Sequence, residues 1–158
     1  MSDDSVSATK IINAPADAIF AVLADPTKHA AIDGTGWVRE PLDETQRLTA
    51  AGQVFRMAMY NANMPGGNYR MASRVKEFDP PRAISWEPGM DPGDGSAQPG
   101  GWIWRYDLVP ASPSSTEVTL TYDWSSVAEP VRQGIPFPPF PSEHLSNSLA
   151  HLATLVTG

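Results

Sequence analysis

The hydrophobic positions change their period twice along the chain. From Val6 to Ile12 (VSATKII) β-branched and polar residues mix as they do in a strand. Asn13 and Pro15 then signal the start of a helix, with Asp17 in its first turn, where a negative charge is favoured. Ile19, Phe20 and Leu23 place an apolar stripe on one side of that helix. It stops at Asp25, because Pro26 pushes the residue before it out of the α region. Asp25 also suits the cap of a second, shorter helix with Pro26 at its first position. That helix is predicted to run to Asp33 and to end at Gly34 and Gly36, which tolerate positive φ.

From Trp37 onward the alternation is of period two. Trp37 to Leu42 predicts a weak strand. In Gln53 to Asn61, Phe55, Met57 and Met59 share one face, against Val54, Arg56 and Tyr60. In Asn68 to Phe78, Tyr69, Met71, Ser73 and Val75 share a face, and Arg70, Arg74 and Lys76 take the solvated one. Arg82 to Glu87 predicts a short strand with Ile84 and Trp86. Pro88 to Gly101, dense in Gly, Pro and Asp, predicts a loop. The clearest alternation follows. Trp102, Trp104, Tyr106 and Leu108 line one face of GWIWRYDL; Val118, Leu120, Tyr122 and Trp124 line one face of TEVTLTYDW. These predict adjacent antiparallel strands joined by a turn at Pro110–Ser115. Arg105, on the polar face, is placed to pair with an acid across the strands, an interaction worth on the order of a few tenths of a kcal/mol when exposed. Glu129 to Pro141 holds the run Ile135-Pro136-Phe137-Pro138-Pro139-Phe140-Pro141, whose prolines suit neither a central strand nor a helix interior. It predicts a stiff apolar connection over the mouth of the fold. Ser142 is a good N-cap, and Leu145, Leu149, Leu152 and Val156 give the last helix a buried stripe.

One strand, two short helices, a run of antiparallel strands and a closing helix define an α+β architecture. A curved sheet with one helix across its concave face encloses space that backbone does not fill. Large side chains plug it, or a small molecule does. The 158 residues suffice for a single domain, 1–158, with a substantial core, and contain no internal repeat. A net charge of −7, without a cluster of Lys or Arg, argues against nucleic acid and anionic membranes as partners. With no cysteine, disulfides, thiolate catalysis and Cys-ligated metals are excluded, and a cytoplasmic location is compatible. The acidic opening MSDD reads as no secretory signal, and the longest apolar run, Ala18 to Ala24, is too short to span a bilayer.

Several stretches, taken in order, resemble the helix-grip superfamily of START and polyketide-cyclase-like proteins, often called SRPBCC. IINAPADAIFAVLADP looks like its opening strand and helix. SRVKEFDPPRAISWEP is similar to its strand pair around a V-x-E-F-x-P-P-R turn, and GWIWRYDLVP with TEVTLTYDWS to its last two strands. KHAAIDGTGWV is similar to a His-x-x-x-Asp-Gly-x-Gly segment of uncharacterised bacterial polyketide cyclase/dehydrase-like members. The resemblance implies a cavity between the sheet and the C-terminal helix that takes hydrophobic small molecules. Its members range from lipid and sterol carriers to cyclases and dehydratases, and no universal catalytic motif accompanies the fold.

Candidate ligand-contacting residues are Met57, Met59, Tyr69, Met71, Trp86, Trp104, Tyr106, Tyr122 and Trp124, with Phe137 and Phe140 from the proline-rich connection and Ser148 from the last helix. Taken singly, each reads as ordinary core. Their number favours a wall, since a buried Trp or Tyr wants a partner for its polar atom and Met adapts to varied ligands. His144 and His151, with Ser148 between them, fall on one side of the last helix. Either is a general acid–base candidate if it points inward, or a boundary residue if it does not. Their spacing, without a carboxylate, is a poor metal site. His29 and Asp33 form an i, i+4 pair on the second helix. Asp33 then either orients His29 at the cavity rim or merely ends the helix. No nucleophile elbow, dinucleotide loop or calcium loop is complete, and neither a metal nor a cofactor is expected. The primary expectation is binding of a small hydrophobic or aromatic molecule by a monomer or homodimer. The alternatives are a cyclase/dehydratase-type enzyme using His and Tyr, and a non-catalytic interaction module built on the Pro/Phe segment.

Overall fold

The computed structural model describes residues 5–25, 28–32, 38–41, 48–60, 67–90, 98–99, 101–130 and 143–157. Strand β1 (Ser5–Ile12) leads into helix α1 (Ala16–Leu23) and the short α2 (His29–Ile32). Strands β2 (Val38–Pro41), β3 (Val54–Tyr60), β4 (Asn68–Asp79), β5 (Ala83–Met90), β6 (Gln98–Pro99), β7 (Ile103–Ser112) and β8 (Ser115–Asp123) follow, and helix α3 (His144–Thr157) closes the order. The strands form one curved antiparallel sheet in the order β1-β8-β7-β5-β4-β3-β2, with β6 on the far end of β5. This is the expected α+β helix-grip arrangement. The first strand lies beside the last, and α1, α2 and α3 pack on the inner face.

The period-two pattern explains which side chains turn inward. Ile84, Tyr106 and Leu120 stand opposite one another across β5, β7 and β8, and Trp86, Trp104 and Tyr122 form the next inward row. Leu108 and Val118 extend the inner face towards α1. From the helices, Ile19 and Leu23 of α1 and Leu149 and Leu152 of α3 meet this surface and are almost wholly excluded from water. On the outer face Arg105 donates from Nε to both oxygens of Asp107 at 3.0 Å and reaches Glu77 across Ser85, the cross-strand acid pairing expected for it. Arg74 pairs with Glu87 at 3.3 Å.

Three details depart from the sequence pattern. The region Pro88 to Gly101 is not all loop, since β5 continues to Met90 and Gln98–Pro99 pairs with it as β6. Pro88 is tolerated because it falls between the part of β5 that pairs with β7 and the part that pairs with β6, so no donor is needed on that side. A bulge between Val75 and Glu77 shifts the alternation of β4. Phe78 thereby turns inward and meets Phe20 of α1 edge to face at 5.2 Å. The β7–β8 turn is also tighter than expected, with Ser112 and Ser115 hydroxyls 2.8 Å apart. Gly101, before β7, has φ of +100°, and a Cβ there would lie 2.6 Å from the Ser126 carbonyl oxygen. Only glycine lets the segment after β8 approach so closely, beside a small cluster of Tyr122, Trp124 and Val127.

Candidate functional site

The inner face has a second character beyond its aliphatic rows. Trp86 lies opposite Trp104, and Trp104 opposite Tyr122, so three aromatic residues cross three neighbouring strands in one row. The Trp104 and Tyr122 rings are 4.5 Å apart, Tyr122 and Trp124 are 5.8 Å apart, and Trp86 meets Tyr106 at 5.9 Å. β7 and β5 are interior strands with sheet on both sides, yet Trp104 and Trp86 remain only half-buried. Their side chains point to the inner face, so their residual exposure must come from that side. The methionines of the row beyond divide. Met57 and Met71, opposite each other on β3 and β4, are buried, whereas Met59 and its partner Tyr69 are half-buried.

α3 supplies the polar groups. His144 begins the helix and is buried, with its ring edge-on to Trp104 at 5.3 Å. Ser148, one turn on, is 3% exposed, so the helix buries a hydroxyl as well as an imidazole. Tyr122 carries the phenol on the opposing strand, and burial pushes its pKa well above the ordinary value. The phenol therefore stays protonated at neutral pH and can donate a hydrogen bond.

His151 behaves differently from His144, although the helical spacing puts them on one side. It is exposed, and its Nδ1 donates to the Ile32 carbonyl at 3.2 Å, which ties α3 to the end of α2. α2 occupies the flank that His151 faces, and that separates the two histidines. His29 is the residue whose role the sequence hid. It is buried, stacked on Trp86 at 5.0 Å with the planes 16° apart, and edge-on to Phe55 at 5.3 Å. Its Nε2 lies 2.9 Å from the Leu23 carbonyl that ends α1. Burial lowers its pKa, outweighing the Leu23 hydrogen bond and the nearby Asp25 charge, which both raise it. Spacing along the chain carries no signal for this contact, since Phe55 and Trp86 lie on distant strands. Asp33, Phe137 and Phe140 lie outside the described residues. Among the described residues no three His, Asp or Glu gather as a metal-ligand set. No helix among them is long and apolar enough to cross a membrane.

The chain has recognisable relatives. Residues 3–156 match the model of a family described as polyketide cyclase / dehydrase and lipid transport. An uncharacterised protein of Mycobacterium tuberculosis is 31% identical over 150 residues, which cover 95% of this chain and 60% of the relative. The chain thus spans about 60% of the length of the curated relatives it matches. Among solved structures, a Chromobacterium violaceum protein superposes with a TM-score of 0.69 at 20% identity, covering 99% of both chains. A norcoclaurine synthase point mutant from Thalictrum flavum, solved with a transition-state analogue, superposes with a TM-score of 0.64 at 16% identity, over 96% of this chain and 92% of that one. At these identities the structural likeness concerns the fold alone.

Proposed function

Because the chain belongs to the polyketide cyclase / dehydrase and lipid transport family, we propose that it binds a small hydrophobic or aromatic molecule between the aromatic row of the sheet and the start of α3. The observation that carries this reading is the partial exposure of Trp86 and Trp104 on the inner face of interior strands. In a sealed core such positions are closed; here both indoles keep part of their surface accessible. Apolar walls supply the burial, and His144, Ser148 and Tyr122 supply the few polar groups that orient a ligand. Met59 and Tyr69 extend the wall towards β3 and β4.

The test is a titration with N-phenyl-1-naphthylamine, a neutral probe that fluoresces in apolar surroundings. Saturable binding near one equivalent is expected, weakened about tenfold or more in Trp104→Ala. Absence of saturable binding would remove the reading.

An enzymatic reading has its own support. The His144 imidazole and the Tyr122 phenol both border Trp104, at 5.3 and 4.5 Å between ring centres. A bound substrate would meet a base and a proton donor on opposite walls, as cyclisation or dehydration requires. For a substrate that is turned over, His144→Gln should lower kcat by roughly 10²–10⁴-fold with little change in affinity. Unchanged kcat would exclude the role. His151 suits it less, being engaged at the Ile32 carbonyl.

A further inference from the structure

The setting of Trp86 depends on a residue outside the sheet. His29 opens α2 and lies flat on the indole, while Phe55 meets its edge. The Leu23 carbonyl can only accept a hydrogen bond, so the Nε2 that faces it carries the hydrogen, and the neutral ring is the Nε2–H tautomer. At the other end of α2, His151 donates from Nδ1 to the Ile32 carbonyl. The short helix is thus held at both ends by imidazoles, one buried and one exposed.

These two fastenings respond differently to acid. In either ring a second proton leaves the donating N–H in place, so neither hydrogen bond breaks directly; the difference is burial, since His151 is exposed and His29 is enclosed. His29 has to take its second proton on Nδ1 while its ring is packed among side chains. The charged group acting on it is Asp25, from the α1–α2 connection. Lys28 precedes it on the exposed side, and His151 is the titratable group that α3 presents at the far end of α2. Phe55 of β3, Trp86 of β5 and Val38 of β2 bring no charge, and Asp33 lies outside the described residues. Asp25 and the indole face both favour the cation, but loss of hydration opposes it more strongly.

We propose that His29 is a positioning residue of the inner-face site. As a neutral ring it holds α2 down and fixes Trp86 in the wall; when protonated it leaves the indole, α2 lifts about its Ile32–His151 end, and bound molecules are released. The release step rests on the binding reading above. The ring movement does not.

Tryptophan fluorescence between pH 8 and 5 tests the ring movement, with far-ultraviolet circular dichroism confirming that the fold persists. Departure of the stacked ring exposes the Trp86 indole to water and moves its emission to longer wavelength, so a single red shift below about pH 6.5 is expected, whereas quenching without a red shift means a protonated ring that stays in place and overturns the movement. His29→Gln keeps an amide donor for the Leu23 carbonyl but does not titrate, and should abolish the transition. Trp86→Phe should abolish it too. A transition that persists in Trp86→Phe belongs elsewhere, for instance to the His144–Trp104 contact, and overturns the proposal, as does a flat wild-type profile. If His29→Gln does not fold, NMR titration of the His29 ring in the native chain, read against the Trp86→Phe result, decides the same point. The neutral probe tests release. Its affinity should fall by up to about tenfold per pH unit below the transition in the wild type and show no such pH dependence in His29→Gln, whatever that variant's affinity at pH 7.5. A level affinity in the wild type overturns release. A probe that binds at no pH refutes the binding reading instead, and the fluorescence transition still decides the role of His29.

Discussion

The two ends of the inner face are built from the same strands and yet finished differently. At one end Ile84, Leu108, Val118 and Leu120 meet Ile19, Leu23, Leu149 and Leu152, all at or below 2% exposure. In the next row along β5, β7 and β8 the inward positions become Trp86, Trp104 and Tyr122, where the His29 imidazole of α2 lies on Trp86 and the His144 imidazole of α3 meets Trp104. The aliphatic end is closed because two helices cover it with branched side chains of matched size. At the aromatic end Tyr122 is buried, but Trp86 and Trp104 keep solvent access although they are larger. Bulk alone does not fill space; the covering element must bring complementary apolar surface, and the first turns of α3 bring His144 and Ser148 instead.

Substitution separates the two ends most sharply. Leu149→Ala, in the closed end, should cost about 2–5 kcal/mol of unfolding free energy in urea, while the folded protein keeps its affinity for the neutral probe. Trp104→Ala should show the reverse, losing affinity and costing less than the ~3 kcal/mol at the low end for a fully buried Trp. Equal stability losses for the two would erase the distinction. The next effect in size is on pH. The folded His29 binds its proton less readily than the unfolded one, so between its lowered pKa and about 6.5 the unfolded chain carries more protons. Stability therefore falls on acidification from pH 7.5 to 5.5, by at most about 1.4 kcal/mol per unit from this residue, and urea midpoints of His29→Gln should lack that share. The smallest effect is on the outer face. A double-mutant cycle on Glu77 and Arg105, both more than a third exposed, should give a coupling of about 0.2–1 kcal/mol that fades in 1 M salt.

Much of this division was legible in the sequence, because it is written in alternation. Val118, Leu120, Tyr122 and Trp124 are read directly as inward, and all four are buried. The order of elements was equally legible, since Pro26 and the glycines punctuate it. What the pattern did not carry lies in contacts between distant segments and in local breaks of period. Pro88 and Gly89 read as breakers, yet they continue β5 because β4 pairs with them. The bulge after Val75 moves Phe78 inward without any residue type that announces it. His144 and His151 share a helix side, but α2 takes only the second as a partner. His29 is the extreme case. In the sequence it reads as the i, i+4 partner of Asp33 near a cavity rim, and only the packing of β3 and β5 beneath α2 shows its contact with Phe55 and Trp86.

The pairing of β1 with β8 has a consequence in time rather than in space. Thr9 meets Thr119, and Ser5 stands opposite Asp123, so the earliest strand of the fold finds its neighbour only after more than a hundred further residues. A chain growing from the ribosome can zip β3, β4 and β5 together as they emerge, because few residues separate them in sequence. β1 must wait, its hydrogen-bonding edge unmatched, until β8 is made. Closing so long a loop slows folding, and a strand left waiting invites pairing with the wrong chain. A nascent chain halted before residue 115 should therefore be held by chaperones, and one extended past residue 123 should be released from them.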